Sequence, residues 1–311
     1  MIYYVVTRRH RYTMAEYLES WGQALAPQVR VVPYGALPAN RDLPAGTYVF
    51  SDLERLTPLQ APMVNALCDQ LSRAPGTRIL NHPARSLRRR GLLNRLHERG
   101  QNRFNAHPPA EPGAPWRYPV FVREENDHTG SLTGLIHDAP TLKQALLILT
   151  MEGFDPRDLL VVEFCDTADK GGIYRKYSAF RIGDRIVPRH VLFSKSWMLK
   201  DVDLLEPHQI AELKDYVREN PHEQEILALF DEANIEYGRI DYALLDGAIQ
   251  VWEINTNPLI ARRPDAYPAF THRFHEAFTI TFNEAFAALD TTAPAGARIP
   301  ISWGAGPGFE T

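Results

Sequence analysis

The sequence predicts an α/β protein, with helices that cover a mostly parallel sheet in roughly its first 80 residues. Short apolar runs alternate with segments whose apolar positions recur every three or four residues, and this alternation of strands and helices is typical of that fold class. The composition, 44% hydrophobic and 23% charged, is ordinary for a globular protein. At roughly 150 residues per domain, the 311 residues suggest about two domains.

Charge and cysteine content exclude several classes of protein. The net charge of −4 argues against general affinity for nucleic acid. Two cysteines, Cys68 and Cys165, exclude a disulfide framework and a cysteine-based zinc module, and they fit a reducing compartment. No apolar run reaches the ~18 residues of a membrane span, and the strand-like opening at 2–6 has no signal-peptide pattern. We therefore expect a cytoplasmic protein that binds neither nucleic acid nor membrane.

Roughly the first 80 residues carry the strand–helix alternation. The segments 2–7, 29–34 and 47–50 are expected to be strands. Thr13 as N-cap, with Glu16 three residues later, has capping-box spacing and predicts a helix over 13–24. A second helix is predicted over 58–73, where four apolar residues recur at steps of four: Leu59, Met63, Leu67 and Leu71.

The remaining sequence alternates helices with hairpins. A basic helix is expected over 86–99, an irregular linker over 105–118 and an extended tail over 291–311, because the last two segments are rich in Pro, Gly and Ala. Other predicted elements are strands at 120–123 and 158–164, helices at 141–152, 206–219 and 223–233, and hairpins at 173–193 and 239–255.

The hairpin at 239–255 carries the strongest chemical signal. Side chains alternate across a strand, so Glu253 and Asn255 share one face of its second strand, and Asp241 lies on one face of its first. If these faces coincide, two carboxylates and an amide oxygen converge, and such hard oxygen ligands suit Mg²⁺ or Mn²⁺ held together with substrate phosphates. The alternative is a surface hairpin whose acids are merely solvated.

Loop length decides whether the two carboxylates meet. A two-residue loop, Asp246-Gly247, sets Asp241 opposite Trp252. A three-residue loop over 246–248 sets Asp241 opposite Glu253 instead. We predict the three-residue loop, with a left-handed glycine-type residue or a bulge that absorbs the odd residue, and with Trp252 turned away from the site on a buried face.

The run Glu253-Ile-Asn-Thr-Asn-Pro258, with Asp241 twelve residues before the glutamate, resembles the metal-binding hairpin of the ATP-grasp superfamily. The order of elements is similar to that of a whole ATP-grasp protein. The resemblance implies a Rossmann-like N-terminal domain at 1–85, a central lid subdomain at 86–165 and a C-terminal subdomain at 166–290, followed by the tail at 291–311. ATP is expected to lie between the last two subdomains, with Mg²⁺ or Mn²⁺ held by Asp241, Glu253 and Asn255.

Other family positions carry over with departures. Arg89 and Arg123 stand where the family has two nucleotide-binding lysines, and arginine keeps the charge while adding a bidentate fork. The loop 124–131 matches the loop that covers the phosphates, and the residues expected to offer backbone N–H groups to phosphate are Thr129, Gly130 and Ser131. Glu163, Phe164 and Cys165 match the adenine hinge. The alternative interpretation is a buried strand that is interrupted by one polar residue. Lys176 and Arg189 are the expected catalytic cations, Lys176 also contacting nucleotide.

The resemblance implies an ATP-dependent carboxylate–amine ligase that acts through an acylphosphate on small-molecule substrates, and it allows a homodimer. We find no G-x-S-x-G or Walker A motif, which is consistent with a mechanism that needs only ATP, metal and cationic side chains. Two alternatives stay open. One is a kinase that transfers the γ-phosphate to a hydroxyl group; the other is a non-catalytic nucleotide-binding protein.

Overall fold

The computed structural model describes residues 1–109, 116–128, 130–199, 206–267, 271–290 and 296–303. Its mixed helices and sheets confirm the α/β prediction. Within the described residues, no helix is both long enough and apolar enough to span a membrane.

The amino-terminal unit is a parallel sheet with the strand order β2-β1-β4-β5. Strand β1 pairs with a neighbour on each side and is almost entirely buried, and its five apolar residues suit that position. The elements of this unit are β1 (Ile2–Val6), α1 (Tyr12–Glu19), β2 (Val29–Pro33), β3 (Asp42–Pro44), β4 (Thr47–Phe50), α2 (Gln60–Ser72) and β5 (Arg78–Leu80).

Two details of this unit differ from the sequence-based expectation. Helix α1 begins at Tyr12, and Thr13 is not its N-cap: the Thr13 hydroxyl is buried and donates to Asn257 Oδ1 (2.6 Å). On α2, Leu67 and Leu71 are buried as the predicted apolar face requires. Met63 is exposed, and Leu59 precedes the helix and is exposed as well. Tertiary contacts therefore override the local capping pattern.

The central unit is an antiparallel sheet with the order β6-β8-β7. Helix α4 starts two residues earlier than predicted, because the Asp138 carboxylate accepts from Thr141 N (2.8 Å) and Pro140 fits the first turn. The elements here are α3 (Arg89–Glu98), β6 (Ala106–His107), β7 (Val120–Glu124), α4 (Ala139–Met151) and β8 (Leu159–Glu163).

The carboxyl-terminal unit is an antiparallel sheet with the order β10-β9-β11-β12. Helices α5 and α6 contribute Tyr216, Ile226 and Phe230 to the core on one face of this sheet. The elements are β9 (Tyr174–Ile182), β10 (Arg185–Ser194), α5 (Pro207–Glu219), α6 (Glu223–Ala233), β11 (Tyr237–Leu245), β12 (Ala248–Asn255), α7 (His272–Ala287) and β13 (Arg298–Pro300). Six 3₁₀ turns complete the described helices, at Arg8–His10, Gln23–Leu25, Tyr34–Ala36, Leu53–Arg55, Pro156–Asp158 and Pro264–Ala266.

The end of the chain returns to the amino-terminal unit. Phe282 of α7 packs edge-on against Tyr17, with 5.2 Å between ring centroids. Strand β13 pairs antiparallel with β3, so the described part of the predicted tail is extended but anchored. Residues 291–295 and 304–311 lie outside the described residues. The domain boundaries at 85 and 165 stay predictions. Helix α3 contributes Leu92 to the core beside the carboxyl-terminal sheet and Leu93 to the core beside the central sheet.

The β11–β12 hairpin pairs Asp241 with Glu253, but not through the predicted loop. Leu245 pairs with Ala248, so the loop contains only Asp246 and Gly247. Both have positive φ, 53° and 80°, as a type I′ turn requires. The register then shifts between Asp241 and Tyr242, which leaves Trp252 as the extra residue of a β-bulge. The prediction of a three-residue loop was therefore wrong. The bulge at Trp252 accommodates the extra residue instead.

The predicted orientation of Trp252 was also wrong. In a regular strand Trp252 and Glu253 face opposite ways. The bulge brings both side chains to the same cavity, and Trp252 packs on Phe104 with 4.9 Å between ring centroids. The opposite face of β12 still supplies the core, through Ile249, Val251 and Ile254.

Candidate functional site

A cavity of about 540 Å³ lies where residues of the central and carboxyl-terminal sheets meet. Its wall has an aromatic component and a charged component. The aromatic rings pack on one another, with Trp197 5.0 Å from Phe121 and 5.7 Å from Phe164 between ring centroids. The charged lining residues are Arg123, His128, Arg175, Lys176, Arg239, Asp241, Glu253 and Arg262.

Asp241 lies in this wall as an ionised carboxylate. Its Oδ1 accepts from Ser178 Oγ (2.8 Å) and Arg239 Nε (2.9 Å), and Lys176 Nζ is 3.6 Å from Oδ2. Burial alone would raise the pKa of Asp241, but the charges of Arg239 and Lys176 hold that pKa below its ordinary value. The carboxylate is therefore negative in the neutral pH range.

Glu253, directly across the ladder, is engaged by three other cationic groups. Its Oε2 accepts from Arg89 Nη2 and from Arg123 Nη2 (3.3 Å), and His128 Nδ1 is 3.6 Å away. Burial opposes ionisation, yet Arg89, His128 and Arg123 together hold the pKa of Glu253 well below its ordinary value. Each carboxylate of the pair thus has its own set of positive neighbours.

The two arginines predicted to bind nucleotide occupy different environments. Arg123 lines the cavity. Burial and the adjacent Arg89 lower the pKa of Arg123 to about 10, so its guanidinium remains charged at neutral pH. Arg89 is buried and does not line the cavity. Its guanidinium instead donates to backbone carbonyls of the segment after β7 and to Glu253.

His128 connects Glu253 to the amino-terminal unit. Its Nε2 is 2.8 Å from Glu54 Oε1, and Glu54 Oε2 accepts from Thr256 Oγ1 (2.7 Å). Burial would lower the pKa of His128, but Glu253 and Glu54 raise it to about 9. Burial would likewise raise the pKa of Glu54, whereas His128 and Thr256 lower it to about 2. The contact is therefore an ion pair at neutral pH.

The three hinge residues do not share one role in the structure. Phe164 and Cys165 line the cavity, and Phe164 N donates to Pro119 O (2.9 Å). Burial raises the pKa of the Cys165 thiol to about 11, so it is not a thiolate at neutral pH. Glu163 is buried behind the wall, where its oxygens accept from the backbone N–H groups of Asn105 and Arg117 (3.1 Å each). Glu163 thereby ties β8 to the two segments beside it.

The predicted phosphate loop is described in part. Thr129 lies outside the described residues. Gly130 lines the cavity with φ of 101°, a left-handed conformation that favours glycine. The Ser131 hydroxyl donates to Thr133 O (2.6 Å) and lies 3.1 Å from Val122 O, so it holds the loop's own backbone.

The two predicted catalytic cations are also separated. Lys176 lines the cavity beside Asp241, and its Nζ donates to Leu199 O (3.0 Å). Arg189 is buried and does not line the cavity. It donates to Ile260 O (3.1 Å), and its guanidinium lies over the Phe278 ring at 4.5 Å. The structure therefore brings Lys176, but not Arg189, to the carboxylate pair.

Asn255 follows the pair on β12, but it does not line the cavity. Its Oδ1 accepts from Asn257 N (2.8 Å) in the turn that follows. Asn257 is buried and joins the hairpin to the amino-terminal unit, because its Oδ1 accepts from Tyr4 Oη (2.8 Å) and from Thr13 Oγ1. The side-chain amides of Asn255 and Asn257 thus position the hairpin.

The donor set suits a hard divalent cation in charge and chemistry. Two ionised carboxylates face each other at Asp241 and Glu253, and Mg²⁺ is commonly held by one or two carboxylates together with substrate phosphates. Within the described ranges, no three His, Cys, Asp or Glu side chains form a group that could hold a metal ion by themselves. Metal binding by Asp241, Glu253 and Asn255 therefore stays a prediction, and it requires phosphate oxygens of a substrate as further ligands.

The cavity residues Arg239, His128 and Trp197 were not among the predicted site residues, and neither was Glu54, the partner of His128. Arg239 pairs with Asp241 two positions along the same strand, an i,i+2 spacing that periodicity could have revealed. His128, Trp197 and Glu54 lie in loops or turns, where no period marks a side chain as inward-facing. Their positions depend on contacts between segments distant in the sequence.

Comparison with known proteins identifies structural relatives. No protein-family model and no curated protein sequence matches this chain. Among solved structures, D-alanine–D-alanine ligase from Bacillus anthracis is similar, with a TM-score of 0.53 and 13% identity over 93% of this chain and 98% of that chain. The same enzyme complexed with ATP has a TM-score of 0.51 at 12% identity, over the same shares of the two chains. At such identities the likeness establishes the fold alone.

Proposed function

The chain has the ATP-grasp fold, and from that premise we propose that it is an ATP-dependent carboxylate–amine ligase. The observation that carries the proposal is the pair of ionised carboxylates, Asp241 and Glu253, in the wall of an aromatic, cation-lined cavity. Such a wall offers a surface for a flat base and charges for a polyphosphate.

The aromatic component supports binding of an adenine ring. Trp252, Phe121 and Phe164 offer ring faces or edges, and stacking on an aromatic side chain contributes about 1–3 kcal/mol per base. The adjacent charged component supports binding of phosphates by Arg123, with Lys176 beside Asp241.

Asp241 and Glu253 would hold Mg²⁺, which neutralises charge on the β- and γ-phosphates when bound. In the reaction that we propose, a substrate carboxylate oxygen attacks the γ-phosphorus and ADP leaves, giving an acylphosphate. An amine nitrogen then attacks the acyl carbon, phosphate leaves, and the nitrogen loses a proton to form an amide. The chain contributes position and positive charge rather than a covalent nucleophile.

The test is ADP release in the presence of Mg²⁺, screened over amino acids and dipeptides singly and in pairs. A ligase releases ADP and phosphate and yields an amide whose mass equals the two substrates minus water. A phosphoester product without phosphate release would identify a kinase instead. Nucleotide binding without ADP formation in any mixture would favour a non-catalytic nucleotide-binding protein. Asp241→Asn is the matched control, because it removes one carboxylate charge with little change of shape.

A further inference from the structure

Both Nη atoms of Arg89 contact the segment 124–128, which comprises the last residue of β7 and the loop that follows it. Arg89 Nη1, which carries two hydrogens, lies within hydrogen-bonding distance of three backbone carbonyls, of Glu124 (3.1 Å), Glu125 (2.5 Å) and Asp127 (2.9 Å). Its Nη2 donates to Glu253 Oε2 and lies 3.3 Å from His128 Nδ1. One buried guanidinium therefore connects the segment 124–128 to the hairpin that carries the carboxylate pair.

The position of Arg89 in its helix shows that helix stability does not explain it. Arg89 is the first residue of α3, and Arg88 and Arg90 flank it. The amino terminus of a helix carries partial positive charge, so cationic side chains there are unfavourable. Arg88 donates to the carbonyls of Leu53 (3.3 Å) and Leu56 (3.2 Å), which lie in the amino-terminal unit. The residues at the start of α3 are thus used in contacts with other units.

A second anchor holds the same loop from the other side. His128 Nε2 contacts Glu54 Oε1 (2.8 Å), and Asp127 Oδ1 lies 3.6 Å from Arg55 Nη2. Glu54 and Arg55 belong to the 3₁₀ turn after β4. The segment 124–128 is therefore held between the hairpin and the amino-terminal unit.

We infer that Arg89 is a positioning residue that clamps the 124–128 loop to Glu253, and that it does not contact nucleotide. A planar guanidinium with five donors can serve several carbonyls and a carboxylate at once, whereas a lysine ammonium has three donors on a flexible stem. The clamp thus gives a physical reason for arginine where the family has lysine. The inference rests on the proposed function only in so far as the loop covers nucleotide.

The experiment compares Arg89→Lys and Arg89→Ala by amide hydrogen exchange of the segment 124–128 in the protein without nucleotide. If Arg89 is a clamp, both variants exchange at least about tenfold faster in this segment. Both should also bind an unreactive ATP analogue more weakly by a similar factor, because the loop is no longer held in place. Arg95→Ala is the matched control: Arg95 lies on the same helix, is exposed, pairs with Glu232 outside the segment 124–128, and should leave the exchange unchanged.

If Arg89 instead contacts nucleotide, the expected result for Arg89→Lys is the opposite. If a positive charge is all that the site requires, Arg89→Lys keeps both the loop protection and the affinity, and the inference is overturned. Unchanged exchange in Arg89→Ala overturns it as well. If Arg89→Ala fails to fold, Arg89→Lys, which keeps a positive charge beside Glu253, decides the question by itself. The exchange measurement needs no turnover, so it can be judged apart from the ligase proposal. Faster exchange in the Arg89 variants, together with no ADP formation by the wild-type protein in any substrate mixture, would support the clamp and reject the ligase.

Discussion

Asp241 and Glu253 face each other across the β11–β12 ladder even though the hairpin loop contains only two residues. The pairing is possible because Trp252 is bulged out of the register between them. The same bulge brings Trp252 and Glu253 to one cavity. A single extra residue thus joins an aromatic surface to the carboxylate pair.

Glu253→Gln should abolish turnover. The change keeps the shape of the side chain but removes one of the two carboxylate charges proposed to hold Mg²⁺. We expect a loss of at least about a hundredfold, or roughly 2.7 kcal/mol of transition-state stabilisation. Thermal unfolding should occur at a lower temperature, because Arg89 and Arg123 lose a buried counter-charge. Turnover equal to that of the wild type would refute the metal assignment.

Arg123→Ala should weaken ATP binding strongly, and Arg123→Lys should restore much of it. Arg123 lines the cavity, so a lysine ammonium at that position can still reach a phosphate. Calorimetric titration with an unreactive ATP analogue gives the two affinities. Equal affinity in Arg123→Ala and wild type would mean that the β7 strand was matched to the family wrongly.

Adenine nucleotides should quench tryptophan fluorescence, and Trp252→Phe should remove most of that signal. Of the five tryptophans, Trp252 and Trp197 line the cavity. Trp252→Ala should weaken nucleotide binding by about tenfold, the effect of losing one stacking contact. Trp303→Phe serves as the control, since its indole N–H donates to Asn40 O in the amino-terminal unit. Quenching retained in full by Trp252→Phe would count against a base at this position.

Asn257→Ala should destabilise the protein without changing the nucleotide cavity. Its side chain makes three contacts with the amino-terminal unit, to Tyr4, Thr13 and His10, two of them buried. We expect a loss of about 2–4 kcal/mol in the free energy of unfolding, because the buried hydroxyl groups lose their acceptor. Denaturant unfolding checks this, with exposed Asn40→Ala for comparison. A midpoint shift no larger than that of Asn40→Ala would show that this amide does not hold the hairpin in place.

His275 should make the protein less stable as the solution is acidified. Burial and the nearby Arg189 lower the pKa of His275 from 6.5 to about 4. The folded protein thus binds fewer protons here than the unfolded chain, so this contribution to stability is complete above about pH 6.5 and is lost as the pH falls towards about 4. His275→Gln should flatten the dependence of unfolding temperature on pH across that window. Exposed His208→Gln is the control, and the idea fails if both variants keep the wild-type slope.

The sequence by itself determined the class of the fold and the residues of the carboxylate pair. Periodicity is a local property, so the hairpins at 173–193 and 239–255 and most of the helices were predicted to within a few residues. The spacing of Asp241, Glu253 and Asn255 within one hairpin was likewise readable, because strand geometry links positions close in the chain.

The tertiary structure alone decided which partners each site residue takes. Arg89 meets Glu253 across 164 positions, and Glu54 meets His128 across 74. No local period encodes such contacts; they arise when separate units pack and each buried charge must find a partner. The two-residue loop is not of this kind, because Asp246-Gly247 favours a type I′ turn locally. The bulge, the inward Trp252 and the return of β13 to β3 do follow from packing, because contacts between distant segments select one conformation among several that the local sequence permits.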